Sequence, residues 1–487
     1  MSKTTTILIV ACLSLAVAPS PAQALSRWVS NTNDSGPGSL REAIRTAGYF
    51  GQVEFAPALD GQPIELSSGP LAVSTTVRII GRGSNNTIID GSHRFGVFYV
   101  GSESFAEVEL LAMTVRNARG YGIFADDRVI LTIGDTTISG ASGHGTLYAG
   151  HGVINSRGMV ALDNTTISAN AGAGILNLAG TLMSIDTCTL SDNGRSGIIS
   201  SDSDVTIVRS AITGNSSSLA GGVYAVDGAI SIENSTISGN SGSISGGITA
   251  VNGVVTLENA TVTCNSGGFA GGIFGAGSSS VTLKNSIVAH QGEGTDCFGA
   301  LGFQSLGYNL DSDDTCGLTH PNDLPGTPAL LLPLESNGAC TQTCAPCAIS
   351  PAIDAGGSYC GDTDQRGLPR PQDGDGDGVA LCDIGAFEHQ EPLQRGEFVG
   401  DIYDLILALI GSDNELVSPL QEAIQVLDDA DPGNNTDALD GLQTFMDEVE
   451  IRRGFTLTDG EANALLLPVQ RILMVLFGQL ASEAGLR

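Results

Sequence analysis

The chain has 487 residues, with 65 glycines, 15% charged residues and a formal net charge of −32 at pH 7. Average soluble domains contain about 7% glycine and about 25% charged residues, so glycine is enriched here and charge is depleted. The acidic balance argues against nucleic-acid binding through clustered Lys and Arg. It also disfavours anionic membranes and polyanionic substrates unless a cation mediates the contact.

Residues 1–24 have the pattern of a secretory signal peptide. Lys3 precedes the apolar run 7–17, and the small residues at 21–24 predict cleavage after Ala24. The run is too short for a transmembrane anchor, and Cys12 lies in its middle rather than at its end, which disfavours a lipoprotein box. We therefore expect an exported chain without a transmembrane segment after removal of the signal.

Residues 25–50 are predicted to form an N-terminal cap. Ser39 and Glu42 have the spacing of a capping box, and Leu40, Ala43 and Ile44 form an apolar stripe. The ends of a repetitive sheet structure expose unpaired strand edges, which a short helix can cover.

Residues 51–300 contain an internal repeat that predicts the fold. An apolar residue recurs every 22 to 29 residues, at Ile89, Val115, Ile138, Ile167, Leu190, Ile212, Ile237, Val262 and Val288. Short alternating runs separated by Gly and Asn turns exclude long helices and favour three short strands per repeat. The predicted fold class is mainly β, a parallel β-helix with one coil per repeat.

Two rows of residues within the repeat are interpreted as structural. The Gly-Gly pairs at 221–222, 246–247 and 271–272 are predicted to be corners with positive φ. Asparagines three residues after the apolar position are predicted to form a stacked ladder that bonds to the backbone of the next coil, at Asn170, Asn193, Asn215, Asn240 and Asn265.

Motifs at both ends of the repeat resemble a known family. They are NDSGPGSLREAI at 33–44, SLGYNLDSDDTCGL from Ser305, SPAIDAG from Ser350, DQRGLPRP from Asp364 and CDIGAFE from Cys382. The first resembles the start of bacterial exported right-handed parallel β-helix proteins of the CSLREA type, although the leading Cys is missing. The others resemble the choice-of-anchor Q module. The resemblance covers residues 28–388 and implies a pectate-lyase-like solenoid closed by residues 301–390.

Two cysteine pairs flank these family motifs and are predicted to form disulfides. They are Cys297 with Cys316 and Cys360 with Cys382, and each pair would close a loop of about 20 residues, worth roughly 3 kcal/mol. Both pairings fit an oxidising compartment.

The other cysteines have different predictions. Cys340, Cys344 and Cys347 are spaced like part of a zinc site, but no fourth cysteine is near. One disulfide with a leftover thiol is therefore favoured over zinc. Cys188 and Cys264 are three coils apart, which excludes pairing, and both are expected to be buried small apolar residues.

An Asp-Gly run after the repeat resembles half of a calcium loop. Asp373, Asp375 and Asp377 alternate with glycines, and a glycine occupies the sixth position. The twelfth position is Ile384 rather than Glu, although Asp383 could substitute. The alternatives are a Ca²⁺ site and a solvated acidic turn.

Enzymatic activity is an alternative because parallel β-helices host pectate lyases and polygalacturonases. A lyase of that kind has a calcium site on the flank with an Arg or Lys base. Lys284 is the one lysine of the coils, and Arg195 and Arg209 are predicted to lack a carboxylate cluster beside them. The resemblance to a lyase is therefore limited to the fold.

The polygalacturonase pattern is an adjacent Asp pair followed by Gly-His-Gly. Asp126 and Asp127 precede His144 and His151, each of which lies between glycines. Against this pattern, His151 aligns with the Gly-Gly corner of later repeats, and an acidic surface would repel polygalacturonate. These four residues are candidate catalytic residues only if the protein is a polysaccharide-active enzyme.

Residues 391–487 are predicted to form a small helical module. Apolar residues recur at helical spacing in two stripes, at Ile402, Leu405, Ile406, Leu409 and Ile410, and at Leu439, Leu442, Phe445, Met446 and Val449. The sequence from Leu439 resembles a FIMAH-type module of bacterial exported proteins. With 18 acidic and 5 basic residues, it is interpreted as an acidic spacer, with docking to another protein or a surface as the alternative.

The function predicted from these features is non-catalytic binding. We expect a monomeric bacterial protein, secreted or on the cell surface, that binds carbohydrate or a surface protein along the side of the solenoid and binds no nucleic acid. The alternative is a polysaccharide lyase or glycoside hydrolase.

Overall fold

The computed structural model describes residues 26–143, 148–289, 291–299, 302–347, 350–357, 360–375, 378–390, 444–447, 449 and 452. The predicted signal peptide, His144, Asp377 and most of the predicted helical module lie outside the described residues. The predictions made for those segments therefore remain predictions.

The described chain winds as a parallel β-helix. Three long sheets contain 12, 10 and 11 strands, and a fourth sheet contains three. Successive strands of each long sheet come from successive coils and pair in parallel. The fold class predicted from the repeat is confirmed.

The twelve strands of sheet 1 are, in order along the axis, β1 (Ser26–Val29), β2 (Gly51–Phe55), β5 (Val77–Ile80), β8 (Ala106–Leu111), β11 (Val129–Gly134), β14 (Met159–Asp163), β17 (Leu182–Asp186), β20 (Asp204–Val208), β24 (Ala229–Glu233), β28 (Val254–Glu258), β32 (Ser280–Lys284) and β35 (Phe303–Ser305). Sheet 2 contains β4 (Leu71–Val73), β7 (Phe98–Val100), β10 (Tyr121–Ala125), β13 (His151–Ser156), β16 (Ile175–Leu178), β19 (Ile198–Ser201), β23 (Val223–Val226), β27 (Ile248–Val251), β31 (Ala270–Ala276) and β34 (Thr295–Gly299).

Sheet 3 contains β3 (Pro63–Glu65), β6 (Ile88–Asp90), β9 (Thr114–Arg116), β12 (Thr137–Ser139), β15 (Thr166–Ser168), β18 (Thr189–Ser191), β21 (Ala211–Thr213), β25 (Thr236–Ser238), β29 (Thr261–Thr263), β33 (Ile287–Ala289) and β36 (Leu310–Asp311). Sheet 4 is a short ribbon on the turns of three coils, with β22 (Ser216–Ser217), β26 (Ser241–Gly242) and β30 (Ser266–Gly267).

The core is a stack of inward-facing side chains. The nine predicted apolar positions stand in one register on sheet 3 and are all buried. The column begins one coil earlier, at Ile64, and ends at the buried Asp311. Like residues therefore stack on like residues about 4.8 Å apart along the axis.

The predicted asparagine ladder is present. Nδ2 of Asn170 donates to Oδ1 of Asn193 at 3.0 Å, and the same bond recurs along the row to Asn265. Gln291 continues the row, because its Oε1 accepts from the Asn265 backbone N–H at 3.1 Å. The five asparagine amides are buried and bonded within the row, so the ladder is structural.

The Gly-Gly pairs at 221–222 and 246–247 are corners before β23 and β27, but the predicted corner at 271–272 is wrong, because this pair lies within β31. The prediction of positive φ is wrong for all three pairs. None of these six glycines is among the residues with positive φ. Close approach of the next coil excludes a side chain instead: a Cβ on Gly246 would lie 2.3 Å from the Ser266 backbone nitrogen. The left-handed conformation occurs at non-glycine corners between sheets 1 and 3, such as Asn164, Asn234 and Asn259.

The predicted N-terminal cap is helix α1 (Leu40–Ala47). The Ser39 hydroxyl accepts from the Glu42 backbone N–H at 3.2 Å, as the capping-box spacing predicts. Leu40, Ala43 and Ile44 are buried against the first coil. A 3-10 turn at Pro57–Leu59 follows β2.

The described residues between 329 and 388 form a second layer over the outer face of sheet 3. The Thr236 hydroxyl of β25 donates to Gln365 Oε1 at 2.7 Å, and the Thr261 hydroxyl of β29 accepts from the Ala386 backbone N–H at 3.0 Å. Ile287 and Ile384 belong to one apolar cluster between the two layers. This segment thus packs along the side of the last coils.

Candidate functional site

The outer faces of the three long sheets differ in chemistry. Sheet 1 carries a row of small side chains in register, all Ser or Thr except Ala161: Thr132, Ala161, Ser184, Thr206, Ser231, Thr256 and Thr282. Sheet 3 is covered in its last coils by residues 329–388. Sheet 2 carries a row of outward-facing side chains, one from each strand, and nearly all of them are apolar or aromatic.

We call this row the outer column of sheet 2. Its members, in register from the first strand to the last, are Ala72, Tyr99, Phe124, Ile154, Leu176, Ile199, Tyr224, Thr249, Phe274 and Phe298. Each lies between inward-facing residues of its strand, as Tyr99 lies between the buried Phe98 and Val100. Apolar side chains on the solvent side of a sheet need a partner, so this column is the candidate interaction surface.

A first aromatic cluster lies near the N-terminal end of the column and consists of Tyr99, Tyr121, Phe124 and Tyr148. The ring of Phe124 is 5.6 Å from that of Tyr99 and 5.4 Å from that of Tyr121, between centroids. Tyr148 lies edge-on to Phe124 at 5.9 Å and is 41% exposed. The cluster therefore presents an apolar surface with phenol groups to solvent.

Two carboxylates border the first aromatic cluster. The Tyr99 hydroxyl donates to Asp126 Oδ2 at 2.5 Å, and this bond raises the pKa of Tyr99 to about 12. The other oxygen of Asp126 accepts from the Asp127 backbone N–H at 2.9 Å. Asp127 lies 3.8 Å from the Arg128 guanidinium and its side chain is 45% exposed. Together these groups offer hydrogen-bond acceptors beside the rings.

The structure does not bring Asp126 and His151 together. His151 opens β13 opposite Tyr121, whereas Asp126 follows the end of β10. Five residues at about 3.3 Å each separate their levels by about 17 Å. The His151 ring is 1% exposed, and its Nδ1 accepts from the Ala173 backbone N–H at 3.0 Å.

A second aromatic cluster, Phe269, Phe274 and Phe298, lies at the other end of the column. Their ring centroids are 5.7 to 6.0 Å apart. Phe269 is 53% and Phe298 47% exposed. The sequence analysis missed both clusters, although aromatic residues at equivalent positions of successive repeats are a signal that could have found them.

Arg209 has carboxylates beside it, so the prediction that it lacks them is wrong. Its Nη2 is 2.5 Å from Asp186 Oδ2. That contact, with the charges of Asp163 and Glu233, raises the pKa of Arg209. The sequence could not indicate this contact because the partners come from neighbouring coils.

Lys284 is also paired, with Glu258 at 2.5 Å on the adjacent strand. Arg195 is exposed, and the described residues provide it with no carboxylate partner. Of the three candidate lyase cations, two are therefore held in ion pairs on the flank of sheet 1.

The Asp-Gly run forms an acidic loop closed by pairing of Gln372 with Leu381. The carboxylates of Asp373 and Asp375 converge with that of Asp354, with ligand atoms within 4.8 Å of one another. The Asp375 backbone N–H donates to Asp354 Oδ2 at 2.6 Å. Burial, with the nearby charges of Asp383 and Asp375, raises the pKa of Asp354. These three oxygen donors are the chemistry that Ca²⁺ prefers.

Asp383 is 1% exposed and holds residues next to this loop through hydrogen bonds. Its Oδ1 accepts from the Asp354 backbone N–H at 2.9 Å, and its Oδ2 accepts from the His389 backbone N–H at 2.8 Å. Asp377 lies outside the described residues. Asp354 was missed by the sequence analysis, although it stands in the SPAIDAG motif.

A second acidic cluster lies at the C-terminal end of the coils. The carboxylates of Asp296, Asp311 and Asp313 come within 4.8 Å of one another. Asp296 Oδ2 accepts from the backbone N–H and hydroxyl of Ser312 at 2.6 and 2.7 Å. Burial raises the pKa of Asp296 to about 7.

Both predicted disulfides are confirmed, Cys297–Cys316 and Cys360–Cys382, with Cα atoms 4.8 and 6.4 Å apart. The first closes the end of the coils, and the second ties the acidic loop to the rest of the layer over sheet 3. Crosslinks at these places hold the two acidic regions in position.

The prediction of a disulfide among Cys340, Cys344 and Cys347 is wrong, because the two disulfides of the described residues pair other cysteines. Cys344 faces Ser238 of β25 with its sulfur 3.9 Å from the hydroxyl, whereas Cys340 is exposed. Cys188 is buried as predicted. Cys264 is exposed, contrary to prediction, because its φ of 55° turns it outward at the end of β29.

A family model described as a right handed beta helix region matches residues 95–266. The described coils thus have the fold of a right-handed parallel β-helix. A crystal structure of the pectate lyase Pel9A is similar, with 13% identity, a TM-score of 0.45, and coverage of 75% of this chain and 96% of that one. The A-module of the Azotobacter vinelandii mannuronan C-5 epimerase AlgE6 has 17% identity and a TM-score of 0.29, over 58% of this chain and 97% of that one.

A search of curated proteins finds no match by sequence. Within the described residues, no helix has the length and hydropathy needed to cross a membrane.

Proposed function

We propose that this β-helix is an exported, non-catalytic binding protein that recognises an uncharged glycan through the first aromatic cluster. The observation that carries the proposal is the group of Tyr99, Phe124 and Tyr148 with Asp126 beside it. A pyranose has apolar C–H faces and hydroxyl edges. Aromatic rings next to carboxylate acceptors match both parts of such a ligand.

Charge supports an uncharged ligand over an acidic one. The chain carries a net charge of −32, and the two side chains at the rim of the cluster, Asp126 and Asp127, are acidic. Asp126 and Asp127, together with the net charge of the chain, would repel a polyanionic glycan at this end of the strands. A surface protein with exposed apolar residues is the other class of partner that the same cluster suits.

Export is proposed from the predicted signal peptide at 1–24, and the two disulfides are compatible with it. The CSLREA-type start, the choice-of-anchor Q-type closure and the FIMAH-type module belong to the same proposal, as do monomeric state and placement outside a bacterial cell. They rest on the motifs quoted above.

We also propose that the acidic loop binds Ca²⁺. Asp354, Asp373 and Asp375 would supply carboxylate oxygens, and Asp383 would hold Asp354 in place. A cation here would offset the repulsion between three converging carboxylates and fix the loop against the layer over sheet 3. This role is structural and independent of the aromatic clusters.

A polysaccharide lyase is the second candidate, and one observation favours it: Arg209 lies among carboxylates on the flank of sheet 1. The same neighbours weaken it, because they raise the pKa of Arg209. A general base must release its proton near the working pH, and this guanidinium is held protonated. The hydrolase alternative, with Asp126 and Asp127, lacks His151 within reach.

A glycan array combined with a product assay tests the proposal. We expect uncharged glycans to bind without release of reducing ends or unsaturated sugars. Phe124→Ala and Tyr148→Ala should each weaken binding by about tenfold or more, since losing an aromatic contact costs on the order of 1–2 kcal/mol. Phe274→Ala, in the second cluster, is the matched control. Turnover abolished by Asp127→Asn would establish the hydrolase instead.

A further inference from the structure

Three side chains of the outer column are buried although they face outward. Thr249 is covered by its own turn, where its hydroxyl bonds to that of Ser245 at 2.7 Å. The other two are a neighbouring apolar pair. Ile154 is 0% and Leu176 is 2% exposed. Their neighbours in the column, Phe124 and Ile199, are partly exposed. An outward side chain of a single-layer sheet loses its contact with water only where a turn or a second layer covers it.

The layer over sheet 3 does not account for this burial. Its hydrogen bonds and apolar contacts reach β25, β29 and β33, all in sheet 3. Among the described residues, the two apolar clusters spanning 29–318 and 287–384 include neither Ile154 nor Leu176. None of these contacts among the described residues accounts for the burial of Ile154 and Leu176.

The helical residues 444–447 and 449 carry a matching apolar surface. Phe445 and Val449 are both 0% exposed, and residues 444–447 and 449 are helical. Positions i and i+4 share one face of a helix. Neither residue belongs to the two clusters of the solenoid described above, so this face also has an unassigned partner.

Charge favours contact between these two surfaces. Residues 391–487 contain 18 acidic and 5 basic residues. Arg94, Arg119 and Arg195 are exposed in the turns that lead into β7, β10 and β19 of sheet 2. No carboxylate among the described residues pairs with any of the three. An acidic helical segment lying on sheet 2 would meet this row of guanidinium groups.

We propose that the chain's own C-terminal helical segment docks on sheet 2, with Phe445 and Val449 packed on Ile154 and Leu176. The segment covers the middle of the outer column and leaves the aromatic clusters exposed at its two ends. The module is then an intramolecular second layer. It limits any partner of sheet 2 to those two clusters.

Hydroxyl-radical footprinting of the full chain, read out by mass spectrometry, tests this contact. In the unaltered protein we expect Ile154 and Leu176 to be oxidised far less than Ile199. Phe445→Asp should raise oxidation of Ile154 and Leu176 several-fold. Because Phe445→Asp could unfold the helical segment by itself, Leu176→Glu provides a second variant, which should raise oxidation of Phe445 several-fold. Phe274→Asp, at the far end of the column, is the control and should change neither site.

Three results would overturn the proposal. Phe445 that stays protected in Leu176→Glu would mean that its face packs elsewhere. Ile154 that stays protected in Phe445→Asp would mean that another segment covers the sheet. Protection of Ile154 that falls on dilution would assign the cover to a second copy of the chain. Glycan binding is a separate readout, so its loss or persistence does not decide this contact.

Discussion

Asn193 illustrates how one side chain holds neighbouring coils together. Its Oδ1 accepts from the backbone N–H of Asn170 at 3.2 Å and from the side-chain amide of Asn170 at 3.0 Å. Its Nδ2 donates to the Ile167 carbonyl at 3.1 Å and to Asn215 Oδ1 at 2.8 Å. Every polar group of this buried amide has a partner, which a low-dielectric interior requires.

We predict that Asn193→Ala destabilises the solenoid by about 1–3 kcal/mol, because it leaves the Asn170 backbone N–H and the Ile167 carbonyl with fewer partners in a buried place. The midpoint of denaturant unfolding measures the effect. Thr206→Ala, on the outer face of sheet 1 at a nearby coil, should change the midpoint little. Equal effects of the two substitutions would contradict a stabilising role for the ladder.

The buried carboxyl group of Asp296, at the end of sheet 2, makes the stability of the protein depend on pH. Asp296 has its pKa raised to about 7, mainly by burial. Between pH 4 and 7 the folded state keeps this proton, and the unfolded chain loses it. Asp296 therefore makes the stability fall as pH rises, by about 1.4 kcal/mol per pH unit within this range.

Asp296→Asn should remove this slope and raise the unfolding midpoint at pH 7, since the amide cannot ionise and still offers an oxygen to Ser312. Unfolding midpoints at pH 5, 6 and 7 in the presence of a chelator measure it. Asp314→Asn is the control, because Asp314 is exposed and its φ of 61° suits Asn. A variant with the same pH profile as the original chain would refute the assignment.

At the scale of elements, the acidic loop is built from parts far apart in sequence. Pairing of Gln372 with Leu381 closes it, Asp354 joins it from the preceding turn, and the Cys360–Cys382 disulfide ties its end. A loop with three converging carboxylates is strained by their repulsion until a cation or a proton intervenes. Its stability should therefore depend on Ca²⁺.

We predict that millimolar Ca²⁺ raises the thermal midpoint of the protein and that a chelator lowers it. Binding to the folded state alone stabilises by about 2.7 kcal/mol at a concentration 100-fold above Kd. Asp375→Asn should abolish most of the shift. Asp362→Asn, an exposed carboxylate of the same layer, should leave it intact. A midpoint that responds to neither Ca²⁺ nor chelator would remove the proposed site.

At the scale of the whole molecule, the fold could be read from the sequence because each coil repeats one inward apolar position. Ile64 was missed because its Pro63-Ile64-Glu65 context lacks the Thr-Ile-Ser pattern of the other coils. The binding surface was missed for a different reason. Outer-column residues such as Tyr99 and Phe124 occupy equivalent positions of successive coils, but they become adjacent only through strand pairing, so their alignment depends on the register.

The same limit applies to the acidic sites. Asp373 and Asp375 stand in a recognisable run, whereas Asp354 reaches them through tertiary contacts. Arg209 and Asp186 likewise come from successive coils. Patterns within one coil are visible in sequence. Contacts between coils depend on the register of strand pairing, which the structure provides.

The N-terminal helix makes a prediction about the assembly of the whole molecule. The first strands of sheets 1 and 2 lie under α1, whose buried residues include Leu40 and Ile44. A solenoid whose first coil is uncovered presents strand edges to other chains.

We therefore expect Leu40→Asp to displace α1 and to cause concentration-dependent association, measured by light scattering after size exclusion. Arg45→Gln, an exposed change on the same helix that breaks only its pair with Glu42, should remain like the original chain. If Leu40→Asp shows no more association than Arg45→Gln across the same concentration range, α1 is not what keeps the first coil from pairing with other chains.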